Sequence, residues 1–196
     1  MVSKAGSLGA SATSYITVAD ADNLSFTNGS NDLPFSISFL IKFSSYDSTD
    51  GLWVINKRED SLTPVEWQVI FIGGTFRLTI NTDGLSANNI AKVLTFTPTL
   101  NQTYHCVVTY DGTENAIGIN VYIDAVSGGA TSVIGTYTGM SNTSSRVDIG
   151  RRGWDGVGFG TSQYRLDCLR IWDKELTQSE VNAIATDELN GIDINP

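Results

Sequence analysis

The chain is short of basic charge, of cysteine and of histidine, and each shortage removes a class of function. Its 12 lysines and arginines face 21 aspartates and glutamates, for a net charge of −9 and a pI near 4.4. That balance carries no electrostatic footprint for nucleic acid or anionic lipid, so partners are expected to be neutral, or bound through calcium. Cys106 and Cys168 are a single pair, below the density of a disulfide-built secreted scaffold. By strand alternation Cys106 shares a face with Val108, whereas Cys168 shares one with Leu166 and Arg170 that is expected to point outward; the pair is therefore read as two thiols. Long hydrophobic runs are missing too. The opening MVSKAGSLGASATS lacks the apolar core of a secretory leader, and no stretch reaches transmembrane length, so membrane insertion is not expected.

At 196 residues the chain makes about one domain, large enough to bury a core without disulfide or metal staples. It is 41% hydrophobic and 17% charged, with 19 glycines and many Ser, Thr and Asn, a profile suited to strands whose exposed faces are hydroxylic. The clearest periodic segment is FSISFLIKF, where Phe35, Ile37, Phe39, Ile41 and Phe43 fall on one face and Ser36, Ser38 and Lys42 on the other. Period two over nine residues is a half-buried strand. Further strand signals occur at LWVIN, EWQVIFIGG, TFRLTIN, YHCVVTY, IGINVYID, VIGTYTG, RVDIGRR and YRLDCLRIW, divided by turn formers such as Gly73-Gly74, Asp83-Gly84 and Asp111-Gly112. Many short strands at near-regular spacing indicate a two-sheet sandwich or jelly roll. One helix is expected over 177–189, TQSEVNAIATDEL, opened by a Thr177/Glu180 capping box and carrying Val181, Ile184, Ala185 and Leu189 at helical spacing. Residues 1–13 are read as a flexible segment, 14–189 as the domain and 190–196 as a tail.

YHCVVTYDGT, VYIDA, VDIGRRG and above all LDCLRIWDKELTQSEV together resemble the laminin-G-like, concanavalin A-like lectin/glucanase superfamily in its bacterial and viral branch, over roughly Ser14 to Leu189. The resemblance implies an all-β fold of two antiparallel sheets stacked as a jelly roll, with one short C-terminal helix. It implies a packed aromatic at Trp172. It also implies a calcium site between the first strand and the last, for which Asp20, Asp22 and Asp167 stand at matching positions and Asp148 and Asp155 are less specific candidates. The fold hosts lectins, adhesion domains, glucanases and lyases alike, so function has to come from the residues.

A glycosidase needs two carboxylates side by side on one face. Glu59 and Asp60 are adjacent and would point to opposite faces, and Glu66 stands alone, so these are read as solvated charges at strand ends. A lyase needs a histidine among tyrosine and arginine; the one histidine, His105, is read as a hydrogen-bonded structural residue. There is no nucleophile elbow, and His105 and Cys106 cannot share a strand face. The chain is accordingly expected to be noncatalytic.

Sugar binding uses aromatic platforms flanked by amide, carboxylate and guanidinium groups. Trp67 alternates with Val69 and Phe71 and reads as core, while Trp53 could face either way. In RRGWDGVGFG, glycines isolate Trp154 from packing neighbours; the spacing of those glycines and the strand that follows exclude a phosphate loop. Arg151, Arg152, Trp154, Asp155 and Phe159, with Trp53, are therefore the candidate ligand residues, against the alternative that the loop caps one end of the sandwich. The expected function is a noncatalytic lectin-like domain that binds glycan or polysaccharide or mediates surface adhesion, outside the cell or on a virion surface such as that of a bacteriophage. A structural or oligomerisation module contacting other protein subunits is the alternative, and a hydrolase or lyase ranks below both.

Overall fold

The computed structural model describes residues 15–59, 64–82, 87–152 and 162–191. In chain order the strands are β1 (Ile16–Val18), β2 (Phe35–Ser45), β3 (Leu52–Arg58), β4 (Val65–Ile72), β5 (Thr75–Asn81), β6 (Asn89–Thr95), β7 (Thr103–Tyr110), β8 (Ile119–Ile123), β9 (Val126–Gly128), β10 (Ala130–Ile134), β11 (Val147–Ile149) and β12 (Gln163–Trp172), followed by helix α1 (Gln178–Gly191). They form two antiparallel sheets, one of seven strands ordered β1-β11-β3-β4-β5-β6-β10 and one of five ordered β12-β2-β7-β8-β9. The architecture is a jelly-roll sandwich.

The β2 stripe does what its period requires. Phe35, Ile37, Phe39, Ile41 and Phe43 are all buried between the sheets, facing Trp67, Val69 and Phe71 of β4 and Phe76, Leu78 and Ile80 of β5. Phe39 meets Phe76 edge-on at 6.0 Å between ring centroids, and Phe71 stacks on Phe76 at 4.5 Å. Each buried ring contributes roughly 1.5–3 kcal/mol of transfer free energy. The β4–β5 hairpin turns in two residues, Gly73 and Gly74, both at positive φ, the backbone that a tight turn between right-twisted strands demands.

The second face of β2 is not solvated as alternation suggested. Ser36, Ser38 and Leu40 are fully buried: the chain after β12 folds back over Ser36, Trp172 at the end of β12 reaches Ser38, and Cys168 packs on Leu40. Ser36 Oγ donates to the Lys174 carbonyl at 2.8 Å and accepts from the Leu176 amide at 2.9 Å. Trp172 packs here as well, in the cluster of Val107, Tyr122, Leu176 and Val181 between sheet and helix, and so outside the sandwich core. The capping box of α1 forms, with Glu180 accepting from the Thr177 amide at 2.8 Å and the Glu180 amide pointing to Thr177 Oγ1 at 3.3 Å. Leu189, placed on the apolar stripe by its spacing, is instead exposed, and Glu188 turns inward.

Bulges account for most of the other departures. The ladder between β12 and β2 shifts register between Asp167 and Arg170. Leu166 therefore points into the core, whereas Cys168, at positive φ, stays on the outer side with Arg170 as expected but is buried against Leu40. Cys106 and Cys168 are not bridged. The segment VIGTYTG is not one strand: β10 ends at Ile134, and the Tyr137 hydroxyl turns instead to Asp32, which also accepts from Tyr110 at 2.7 Å and from the Met140 amide at 2.6 Å. Asp83-Gly84 lies outside the described residues. Among the described residues, no helix is long and apolar enough to cross a membrane.

His105 lies on the outer side of the five-stranded sheet, fully buried beneath α1. Its Nε2 is 3.5 Å from Glu188 Oε2, Glu188 pairs with Arg170, and its backbone amide donates to Asp124 Oδ1; neither ring nitrogen makes a hydrogen bond, contrary to the sequence reading. Burial, and after it the Arg170 charge, push the imidazole from 6.5 down to about 4. Below 6.5 the unfolded chain therefore binds a proton that the folded chain refuses. Stability from this group is fully present above about pH 6.5 and is lost as the pH falls through about 4, by on the order of 3 kcal/mol. Denaturant titrations between pH 7 and pH 4 should show a shallower loss for His105→Leu than for the wild-type chain; parallel profiles would contradict the assignment.

Candidate functional site

The outer face of the seven-stranded sheet gathers most of the chain's arginines. A bulge in β3 decides how it is built: between Trp53 and Ile55 the ladder with β4 shifts, both Val54 and Ile55 turn into the core, and Trp53 is left on the outside. Trp53 then lies across from Ile70, which pairs with Arg77, while Asn56 lies across from Gln68, which pairs with Thr79. The indole Nε1 of Trp53 donates to Gln68 Oε1 at 3.1 Å, and Arg58 Nη1 donates to the same oxygen at 3.3 Å. Arg152 lies over the Trp53 ring, 5.1 Å from its centroid. Two of the sequence candidates, Trp53 and Arg152, are thus brought together.

Arg151 is diverted to other work. Its Nη2 donates to Asp148 Oδ1 at 3.0 Å and to Thr17 Oγ1 at 3.1 Å, its guanidinium lies 3.6 Å from the Tyr15 ring centroid, and its carbonyl accepts from Asn56 Nδ2 at 2.7 Å. Asp148 is fully buried and also accepts from Arg146 Nε at 3.0 Å and from Thr17 Oγ1 at 2.6 Å. This carboxylate clamps β1 to β11, which are joined by only three residue pairs. Trp154, Asp155 and Phe159 lie outside the described residues, as does Asp60.

With the architecture and this face in view, comparison with known proteins is decisive at the level of family. The description of the matching family is the laminin G group of the concanavalin A-like lectin/glucanases superfamily, and the match runs over residues 10–182. The chain belongs to that superfamily. No curated protein matches the sequence. Among solved structures, this superfamily member is similar to the binding domain of botulinum neurotoxin DC in complex with rat synaptotagmin II, at TM-score 0.68 and 16% identity over 92% of this chain and 42% of that one. The binding domain of botulinum neurotoxin serotype C1 aligns at TM-score 0.67 and 17% identity over the same shares. A type C neurotoxin structure described by its dependence on two ganglioside molecules for cell entry aligns at TM-score 0.66 and 18% identity, again over 92% and 42%. The chain therefore spans about two-fifths of each neighbour, and these likenesses speak to the fold.

The aspartates assigned to calcium by resemblance do not come together in this superfamily member. Asp20 pairs with the ammonium of the fully buried Lys57, which also lies 3.3 Å from Glu66 Oε1 and donates to the Ser145 carbonyl at 2.6 Å. Asp22 Oδ1 accepts from Asn142 Nδ2 at 3.2 Å. Asp167 stands across from Leu40 on the outer side of the other sheet, where its Oδ1 accepts from the Cys168 amide. A lysine already neutralises the best-placed carboxylate, so these three do not fit a hard cation, and no cluster of three metal-ligating side chains occurs among the described residues. Glu66 is likewise no solvated strand-end charge. It is fully buried, accepts from the Thr143 amide and hydroxyl at 2.8 and 2.6 Å, and burial pushes its pKa up against those bonds and the Lys57 charge.

Arg58, Gln68 and Arg77 escaped the sequence reading although the signal was there. Gln68 alternates with the core residues Trp67 and Val69, and Arg77 alternates with Phe76 and Leu78; the Gly73-Gly74 turn between them puts both polar side chains on one face. The Asp148 clamp has a measurable consequence. Asp148→Ala leaves two guanidinium groups facing each other without their shared acceptor, which should cost about 3–5 kcal/mol and lower the urea midpoint with the slope unchanged. A midpoint within error of wild type would show that the clamp contributes nothing.

Proposed function

We propose that the chain is a noncatalytic binding module that takes glycan on the outer face of its seven-stranded sheet. The reading rests on one observation above others: Trp53, Gln68, Arg58 and Arg152 meet there. The Trp53 indole is only 8% exposed beneath Arg152, so it backs the site, and the amide and guanidinium groups around it supply the directional hydrogen bonds that sugar hydroxyls require. Chemistry finds less support. Asp148 on this face is buried and engaged by two arginines, and His105 lies beneath α1 on the other sheet. Ganglioside and synaptotagmin belong to the descriptions of neighbouring structures, and a glycan or a surface receptor is in keeping with both. Such a module serves a secreted protein or a virion appendage equally well.

A second reading has its own observation. β10 is an edge strand whose Val133 and Ile134 point to opposite sides and are 61% and 53% exposed, and Val126 on the neighbouring edge strand β9 is 72% exposed. An apolar edge without a guarding charge is a template for pairing with another subunit.

A glycan array run with calcium and with chelator separates the readings. Binding is expected in both conditions, weakened at least about tenfold by Arg152→Ala, the loss expected for one charge-assisted hydrogen bond. No binding in either condition, with an oligomer seen by light scattering that Val133→Lys dissociates, would replace the glycan reading by the assembly reading.

A further inference from the structure

Five of the chain's seven arginines, Arg58, Arg77, Arg146, Arg151 and Arg152, belong to the outer face of the larger sheet, in a protein whose net charge is −9. Asp148 answers Arg146 and Arg151. Arg77 stands apart. It projects from β5 in the row Trp53, Ile70, Arg77, Val93, so its neighbours across the strands are apolar. Its Nε is buried with no hydrogen-bond partner, and no ion pair or ring contact engages its guanidinium among the described residues. Burial pulls its pKa below the ordinary arginine value, and among the described residues no acidic side chain opposes that. A half-buried guanidinium without an acceptor is destabilising, and folded chains seldom keep one for structural reasons. Arg77 nonetheless stays partly open to solvent, as do Gln68, Val93 and Arg152 around it.

We propose that Arg77 is an oxyanion subsite that makes this face selective for carboxylate-bearing sugars, such as uronate units, over neutral ones. The inference rests on the glycan reading given above and names its substrate class. Arginine's planar fork matches a carboxylate with two parallel N–H bonds, and the apolar surroundings strengthen such a pair relative to water. A sugar acid brings one charge per residue to a local cationic spot, which the acidic remainder of the molecule tolerates. A densely charged nucleic acid would meet that remainder as repulsion.

The test is titration calorimetry of the whole chain with galacturonate oligomers, neutral glucan oligomers, heparin fragments and a single-stranded DNA oligomer, at low and at high salt. The expected result is uronate binding that exceeds neutral-glucan binding by at least about tenfold and weakens with salt. Arg77→Leu should abolish that preference by bringing uronate affinity down to that for neutral glucan, while Arg77→Lys retains part of it. Neutral sugars bound as well as uronates, or a preference that survives Arg77→Leu, would overturn the subsite and leave the glycan reading standing. No sugar bound at all would overturn the reading beneath it. Heparin preferred over uronate would overturn the carboxylate assignment, and DNA bound as tightly would overturn the glycan class. Urea unfolding gives a second readout: Arg77→Leu should unfold no earlier than wild type, since it removes a charge without a partner, and an earlier midpoint would show a structural role instead.

Discussion

Across the middle of the sandwich the phenylalanine and isoleucine stripe of β2 packs against the rings of the β4–β5 hairpin, and that contact dictates the orientation of the surrounding side chains. Because successive residues of a strand alternate, burying Phe39 against Phe76 obliges Leu40 and Ser38 to face the other way. In the same way, burying Trp67, Val69, Phe76 and Leu78 obliges Gln68 and Arg77 onto the outer face. The polar face is thus a by-product of how the core closes. The core makes it rigid, since moving one of its groups would mean moving a ring on the opposite side.

What could be read from the residues follows the same division. FSISFLIKF announced its inward face correctly, and the capping box of α1 was visible because its partners are three residues apart. Failures cluster where long-range geometry intervenes. Nothing in LWVIN tells the reader that β3 carries an extra residue, yet that bulge sends Trp53 outward. The register shift in β12 similarly turns Leu166 inward and hides Cys168. Ser36, Ser38 and Glu66 look like surface residues by type; they are buried because segments more than 70 residues away in sequence fold over them.

The ionic groups divide by partner more than by position. Lys57 with Asp20 and Glu66, and Asp148 with Arg146 and Arg151, are closed sets in which buried charge is matched by buried charge. Both tie loops or short strands that have little apolar area of their own to the ends of the large sheet. Arg151 looked like a ligand residue because it adjoins a glycine-rich run, but its side chain bridges β1 and β11. Arg152, one residue on, lies over Trp53. Adjacent arginines thus divide between holding the fold and furnishing its surface.

The two-glycine turn between β4 and β5 has an implication for how the molecule can change. Gln68 and Arg77 share a face because their strand neighbours are buried, and the turn closes outside the last pair, Ile72 with Thr75. An added residue there can be taken up as a longer loop, whereas one inserted within either strand would swing the guanidinium toward the hydrocarbon interior unless a bulge absorbed it. Variation is therefore tolerated at the tip of this hairpin and constrained along its arms, where the core holds the chemistry of a face it does not itself touch.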